Sequence, residues 1–439
     1  MPLLQSGCLD APVLDRAANC YMQIGDTQTA ASLLEVITQT QPRLASGWGK
    51  LAALKMTVGD EPGAIMGFRK VLEITPNSGH ALAALNRLEP YKRNSAKVAR
   101  LRKLAKSNKL PQSERVAVLN TLGQVEHNTG HFKSAFRYFA KSKAAAKAEF
   151  HPEAMDDLVD GQIGQFQATG IVEENSDGPR IVFIVGMPRS GTTMLEQILT
   201  RHSQTHTVGE SPALTKTLQA VRHHVGDKLG KADPWDWCDS LTDHEISIFR
   251  RYYYTCAGQN APLSGDVFVD KMPFNSFHLG LAHLLLPDAK FVFMSRHPLD
   301  VGLSNFSINF QSGNEFSRRL EWIGQMTRTV YRSMQDYKQK LPNQLRVQSY
   351  QKLVSCPEGQ IKALLDHIGL PWRQDCLSPG NTDGAIRTAS VQQARKEINT
   401  DALNKWKPYE EQLQPLIAAL GGQEWIQNWQ ELDNATADC

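Results

Sequence analysis

The sequence predicts two units of different class: an all-α solenoid of helical repeats over residues 1–165, followed by an α/β domain built on a parallel sheet over residues 175–439. Three observations carry this. Turn landmarks recur in the first part at a spacing of 34 residues. Helical periodicity then stops in a turn-rich stretch. Beyond it, short buried-strand runs alternate with longer helical patterns, the signature of a parallel sheet covered by helices.

In the first unit, Gly25-Asp26 recurs as Gly59-Asp60, and Gln41-Pro42 is answered by Thr75-Pro76, both at an offset of 34. A helical pattern precedes each Gly-Asp turn and another follows it, as in Ala30 to Leu34 and Ala64 to Phe68. This period and grammar resemble the tetratricopeptide repeat, in which helix pairs must stack on their neighbours to bury their apolar faces. A later unit runs from Val116 through Gly130-His131-Phe132 to Ala135-Phe136, but Gly130 lies 71 residues beyond Gly59, where two periods give 68. An insertion or an irregular unit is expected between them.

Turn-forming residues accumulate from Gly170 to Pro179, which sets the expected boundary. The strand runs after it are Ile181–Val185, Val267–Val269, Phe291–Met294 and Leu345–Val347.

With 439 residues, 41% of them hydrophobic, and a mean hydropathy of −0.38, the chain is long enough for two domains with their own cores. No apolar run reaches the roughly 18–20 residues of a membrane span, and Met1-Pro2-Leu3-Leu4-Gln5 lacks the pattern of a secretory leader, so a cytoplasmic location is expected. The seven cysteines are scattered and form no Cys-x-x-Cys pair; reduced thiols and no structural zinc are expected. Net charge is only +3, yet residues 91–147 hold 14 Lys or Arg against Glu114 and Glu126. This excess is either a solvated helical face or a site for an acidic partner or membrane surface. Nothing points to nucleic acid.

The strand Ile181–Val185 leads into Gly186-Met187-Pro188-Arg189-Ser190-Gly191-Thr192-Thr193 and then an amphipathic helix pattern, Met194 to Leu199. Strand, glycine loop and helix start together make a P-loop-like anion cradle: backbone N–H groups and the helix dipole favour a phosphate, and the threonine hydroxyls add donors. A nucleotide kinase or ATPase would place a Lys after the second glycine to reach the β- and γ-phosphates. Here the loop offers Arg189 instead.

The run Pro188-Arg189-Ser190-Gly191-Thr192-Thr193 resembles the 5′-phosphosulfate loop of sulfotransferases that use 3′-phosphoadenosine-5′-phosphosulfate (PAPS), in the branch of the tyrosylprotein sulfotransferases. The resemblance covers roughly residues 180–420 and implies, in order, a set of site residues. Arg189, Ser190, Gly191, Thr192 and Thr193 would cradle the 5′ end of the donor. Arg296, at the end of Phe291-Val292-Phe293-Met294-Ser295, and Ser304, eight residues on, would bind its 3′-phosphate. Tyr350 would lie near the adenosine diphosphate moiety, and Ser390, Gln393 and Lys405 would close over the donor.

Sulfuryl transfer to a hydroxyl also needs a base for the acceptor proton and a cation for the departing phosphate oxygen. The resemblance implies Glu210, 21 residues after Arg189, as the base and Lys271 as the cation, with His206 and His202 as fallback bases. PAPS is the implied donor, and no metal is implied. The acceptor is expected to be a hydroxyl, with tyrosine in a protein or peptide leading and sugar, lipid and small phenol hydroxyls open. A protein partner on the repeats is also expected. Two alternatives stand: an ATP-dependent kinase on the same plan, which magnesium dependence would reveal, and a repeat scaffold with an inactive second domain.

Overall fold

Each repeat turn is made by a glycine that ends one helix and an aspartate that starts the next. Gly25 and Gly59 take the left-handed conformation, at φ 91° and 88°, while the Asp26 and Asp60 carboxylates accept the N–H groups of Thr29 and Gly63. The helices so joined are α1 (Ala11–Ile24), α2 (Thr27–Thr40), α3 (Ala45–Val58) and α4 (Glu61–Ile74). The structure, a computed structural model, describes residues 10–146, 149–168, 178–207, 209–230, 233–258, 267–310, 313–378 and 397–436.

The irregular unit begins at α5 (Gly79–Leu88), cut short by Pro90, and contains α6 (Ala96–Ala105) before the regular pair α7 (Gln112–Asn128) and α8 (Phe132–Ala145) and the helix α9 (Pro152–Gln165). The register slip between the second and last repeat turns falls here. α6 is anchored by an ion triad around a buried carboxylate: Glu126, 2% exposed, accepts from Arg93 Nε at 2.8 Å and Arg102 Nη2 at 3.0 Å.

The second unit is a five-stranded sheet, β1 (Arg180–Gly186), β2 (Thr205–Thr207), β3 (Val267–Lys271), β4 (Lys290–Ser295) and β5 (Leu345–Ser349), in the order β2-β3-β1-β4-β5 with every pair parallel. All four expected strands are present. β2 was not expected, because three residues are too short to show a period. Alternation assigns the two faces: Phe183, Phe268, Phe291 and Phe293 point into one core, Val182, Ile184, Val269 and Val292 into the other.

The second face is covered by α10 (Thr192–Leu199) and, after β5, by α17 (Tyr350–Ser355) and α18 (Pro357–Ile368). The first is covered by α11 (Ala213–Leu229), α12 (Trp237–Ser240), α13 (Asp243–Gly258), α14 (Leu279–Leu285), α15 (Pro298–Ser307), α16 (Leu320–Lys340), α19 (Gln414–Leu420) and α20 (Gly422–Asn434).

The expected boundary falls mostly on residues 169–177, outside the described ones. Packing nevertheless runs across it. Phe139 of α8, Val159 of α9 and Phe166 belong to the same core as Phe183 and Phe291 of the sheet. The Gln162 side chain also donates to Ser333 O and to Asp336 on α16. The expectation of reduced thiols holds for Cys20, Cys238, Cys256 and Cys376 but is corrected at Cys356, which is disulfide-bonded. Among the described residues, no helix is long and apolar enough to cross a membrane.

Phe139 tests whether this shared core is cooperative. It is 1% exposed and its ring fills the space where a side chain on Gly123 would sit. Phe139→Ala is expected to lower stability by about 3–5 kcal/mol. Trp48 aside, every tryptophan lies beyond residue 178, so the loss should appear as a lower midpoint in tryptophan fluorescence as well as in circular dichroism. A fluorescence transition unmoved by the substitution would mean that α8 and the sheet unfold independently.

Candidate active site

β1 is the central strand, with β3 on one side and β4 on the other, so the connections leave its C-terminal end in opposite directions and open a crevice there. The loop that fills this crevice is shaped by three residues of positive φ: Gly186 at 137°, Arg189 at 73° and Gly191 at 111°. A Cβ on Gly186 would stand 2.8 Å from Met294 O, and one on Gly191 would stand 2.5 Å from the Tyr350 ring.

Arg189 is the anomaly, since a side chain at positive φ is strained by about 1–2 kcal/mol. It is held there from both ends. Its carbonyl accepts from Arg296 Nη1 at 3.0 Å, and its Nε donates to Ser304 Oγ at 3.0 Å. Burial, then the neighbouring Arg296 charge, pull the Arg189 pKa down to about 10. Behind the loop, α10 starts at Gly191 with no side-chain cap, and Thr192 and Thr193 are buried. The buried Ser190 hydroxyl and Arg296 Nε have no hydrogen-bond partner among the described residues.

Arg296 leaves the end of β4, 8% exposed, with its guanidinium 4.5 Å above the centre of the Tyr350 ring and its Nη2 donating to Ala402 O at 2.6 Å. His297 then caps α15 by accepting the Leu299 N–H, and its ring stacks on Trp406 at 5.2 Å. Burial and the Arg296 charge depress its pKa to about 4, so it is a neutral cap. Asp300, on the first turn of α15, accepts the N–H groups of Asn404 and Trp406 at 2.9 and 3.1 Å, which fixes the segment bearing Lys405. Arg189, Arg296, Asp300, Ser304 and Lys405 thus line one cavity of about 240 Å³, whose other wall includes Gln124 and His127 of α7. Ser390 and Gln393 lie outside the described residues.

Lys271 and Glu210 meet in a second cluster, at the end of β3 on the opposite side of β1. Lys271 is fully buried, its Nζ 2.8 Å from Glu210 Oε1 and 3.6 Å from Glu196 Oε2. Glu196, on α10, also accepts from Thr207 Oγ1 at 2.8 Å. Its pKa is raised by burial, against the pull of Lys271 and the Thr207 hydrogen bond, and Glu210 adds to the rise. The Glu210 carboxylate is partly exposed, and no helix starts at it. His202 is turned away: Pro371 O lies 3.0 Å from its Nε2 and its Nδ1 accepts the Gln204 N–H. His206 sits on β2 with its ring against Phe268.

A close pair of guanidiniums, an uncapped helix start and a buried hydroxyl are groups that can receive an anion, and a carboxylate beside an ammonium can take up a proton. Residues 179–374, which include Arg189, Glu196, Glu210, Lys271, Arg296 and Ser304, match the model of the sulfotransferase family. The likeness of this segment is to sulfotransferases. The chain is 29% identical over 343 residues to an uncharacterized protein of Aquifex aeolicus, the match covering 76% of this chain but 45% of that protein. It is 24% identical over 241 residues to a putative protein-tyrosine sulfotransferase of Caenorhabditis briggsae, covering 53% of this chain and 82% of the relative. It is 25% identical over 266 residues to protein-tyrosine sulfotransferase 1 of Danio rerio, covering 56% and 73%.

Sequence reasoning did not single out Glu196, Asp300, Gln124 or His127. Glu196 carried a readable signal, a carboxylate inside the short apolar run Met194-Leu195-Glu196-Gln197-Ile198-Leu199, where burial demands a partner. Removing that partner gives a test. Lys271→Met should lower stability by about 3–5 kcal/mol by stranding the Glu196 charge. Because the folded-state pKa of Glu196 already lies above its unfolded value, stability falls as pH rises through it, and losing Lys271 steepens that fall. The melting deficit should therefore be larger at about pH 8 than at about pH 5, and Glu196→Gln in the same chain should flatten it. A deficit independent of pH would show that Glu196 does not depend on Lys271.

Proposed function

We propose that this protein transfers the sulfuryl group of PAPS to an acceptor hydroxyl. The observation that carries this reading is the convergence of Arg189, Ser304 and Arg296 at the C-terminal ends of β1 and β4, where the Ser304 hydroxyl accepts from Arg189 Nε and Arg296 donates to the Arg189 carbonyl. In this reading Arg189 with Ser190, Gly191, Thr192 and Thr193 receives the 5′-phosphosulfate. Arg296 and Ser304 hold the 3′-phosphate, Tyr350 supports the Arg296 plane, and Lys405 covers the pocket. The buried Ser190 hydroxyl and Arg296 Nε, both without partners among the described residues, fit an anionic ligand.

The donor supplies an activated sulfuryl group. Glu210 takes the proton of the acceptor hydroxyl as its oxygen bonds to sulfur, and Lys271 Nζ carries the charge of the phosphate oxygen released when the old S–O bond breaks. Fixed positions and charges do the work in such a loosely bonded transfer, with no covalent enzyme intermediate. Tyrosine in a protein or peptide is the proposed acceptor, supported by the names of the relatives and by an open groove of about 560 Å³ in the repeat array, lined among others by Lys50, Phe68, His80 and Glu114. The same groove supports a protein partner on the repeats.

If Arg296 and Ser304 recognise a 3′-phosphate, adenosine 3′,5′-bisphosphate should bind far more tightly than adenosine 5′-monophosphate or ATP. Calorimetry measures this directly. Equal affinities for the bisphosphate and the monophosphate would sink the clamp, and magnesium-dependent ATP turnover would replace it with a kinase.

The base and the charge stabiliser separate by kinetics. Glu210→Gln is expected to keep bisphosphate affinity and lose roughly 10²- to 10⁴-fold in turnover. That deficit should shrink for a phenol of lower pKa, which needs a base less, whereas a Lys271→Ala deficit, arising at the leaving oxygen, should not. Parental turnover in Glu210→Gln would move the base elsewhere, with His206 the next residue to change.

A further inference from the structure

The last carbonyls of a helix have no partner within it, and those at the end of α15 find theirs in the other unit. Lys143 Nζ, on α8, donates to Asn305 O at 3.1 Å and Ile308 O at 2.6 Å, and also to Ser317 Oγ at 3.2 Å. Asn120 Nδ2 and Gln124 Nε2, on α7, both donate to Ser307 O, at 2.7 and 3.0 Å. Lys143 is 4% exposed and forms no ion pair among the described residues; what it faces is the negative end of a helix dipole. Burial holds its pKa well below the usual lysine value. The contact is sealed by Phe136 stacked on Phe306 at 5.2 Å and by His127 Nδ1, 2.7 Å from the Tyr409 hydroxyl.

The same helix end touches the loop that carries Arg189. Ser304 holds Arg189 Nε, and the next residue, Asn305, donates its Nδ2 to Pro188 O at 2.8 Å, so two successive side chains pin the loop. A shift of α15 along its axis would move both. On the other side of the cavity stand Gln124 and His127, so α7 both supports the helix and closes the pocket.

We propose that the helical unit completes the donor pocket, with Lys143 a positioning residue that seats Ser304 and Asn305 against the loop through the carbonyls of α15. This rests on the reading of Arg296 and Ser304 as a 3′-phosphate clamp, and that reading is tested first, in the parental chain, by the ratio of bisphosphate to monophosphate affinity. In full-length Lys143→Met, which keeps the aliphatic stem but removes the donors, this ratio should fall on the order of tenfold, monophosphate affinity falling less than bisphosphate affinity. Asn120→Ala, which removes one hydrogen bond from a half-buried position, should show a smaller fall of the same kind and decides the matter if Lys143→Met does not fold. A merely structural lysine would lower the melting temperature and leave the ratio alone. A parental ratio in the folded variants, or an equal loss for both nucleotides, overturns the proposal. A parental chain that does not discriminate at all overturns the clamp instead, and is recognised before any variant is made.

Discussion

The site depends on holding two buried guanidiniums side by side. Arg189 and Arg296 repel one another, and burial denies them the water that would screen the repulsion. Neutral groups take part in holding them together: the Arg189 carbonyl, the Ser304 hydroxyl, the Ala402 carbonyl and the face of the Tyr350 ring. Such a set satisfies geometry without cancelling charge, whereas a closely paired carboxylate would satisfy both and leave nothing for an anionic ligand. Asp300 is close enough to be felt by Arg296, but its oxygens are spent on the N–H groups of Asn404 and Trp406. The strain at Arg189 and the absence of Cβ atoms at Gly186 and Gly191 follow from the same need, since each brings backbone close to the crevice.

The lysine at the end of β3 is solved in the opposite way. Lys271 is fully buried and faces two carboxylates, so its charge is compensated by the protein itself. The two clusters lie on either side of β1, one with two neighbouring guanidiniums and one with an internal balance of charge. That division suits a reaction in which one end of a ligand is bound by charge while charge and a proton move at the other. Strand alternation enforces it: Lys271 points to the face of α10 and Glu196, whereas Asp270 points to the other face, where Tyr253 and Asn275 hold its carboxyl and burial raises its pKa to about 7.

The parts legible in the sequence are those written over short distances. The strands stand out because both faces of the sheet are covered, which makes each a continuous apolar run. The repeat turns are legible because one glycine and one aspartate do the whole local job. The loop and the residues eight positions apart on β4 and α15 are legible as motifs. Glu196 and Asp300 escape because their partners come from other segments, 75 residues on at Lys271 and 104 residues on at Asn404. Lys143 escapes more completely. It belongs to the basic stretch 91–147, whose plainest meaning is a solvated face, and nothing local marks it as the cap of a helix 162 residues away.

That basic stretch is therefore not one electrostatic feature. Arg93 and Arg102 neutralise the buried Glu126, Arg115 donates to the carbonyls of Ala105 and Ser107 near the end of α6, and Lys143 serves α15. These cations are placed by the fold, Arg93 and Arg102 by a carboxylate and Arg115 and Lys143 by neutral carbonyls. Arg137 and Lys141 of α8 join the outer edges of Arg93 and Arg102 around a cavity of about 340 Å³ that also includes Glu126. α8 carries part of this basic rim and, with α7, the groups that meet the end of α15. The chain is thus better divided by function than by the run of its sequence: α1 to α6 form the array proper, while α7 and α8 belong as much to the site as to the repeats.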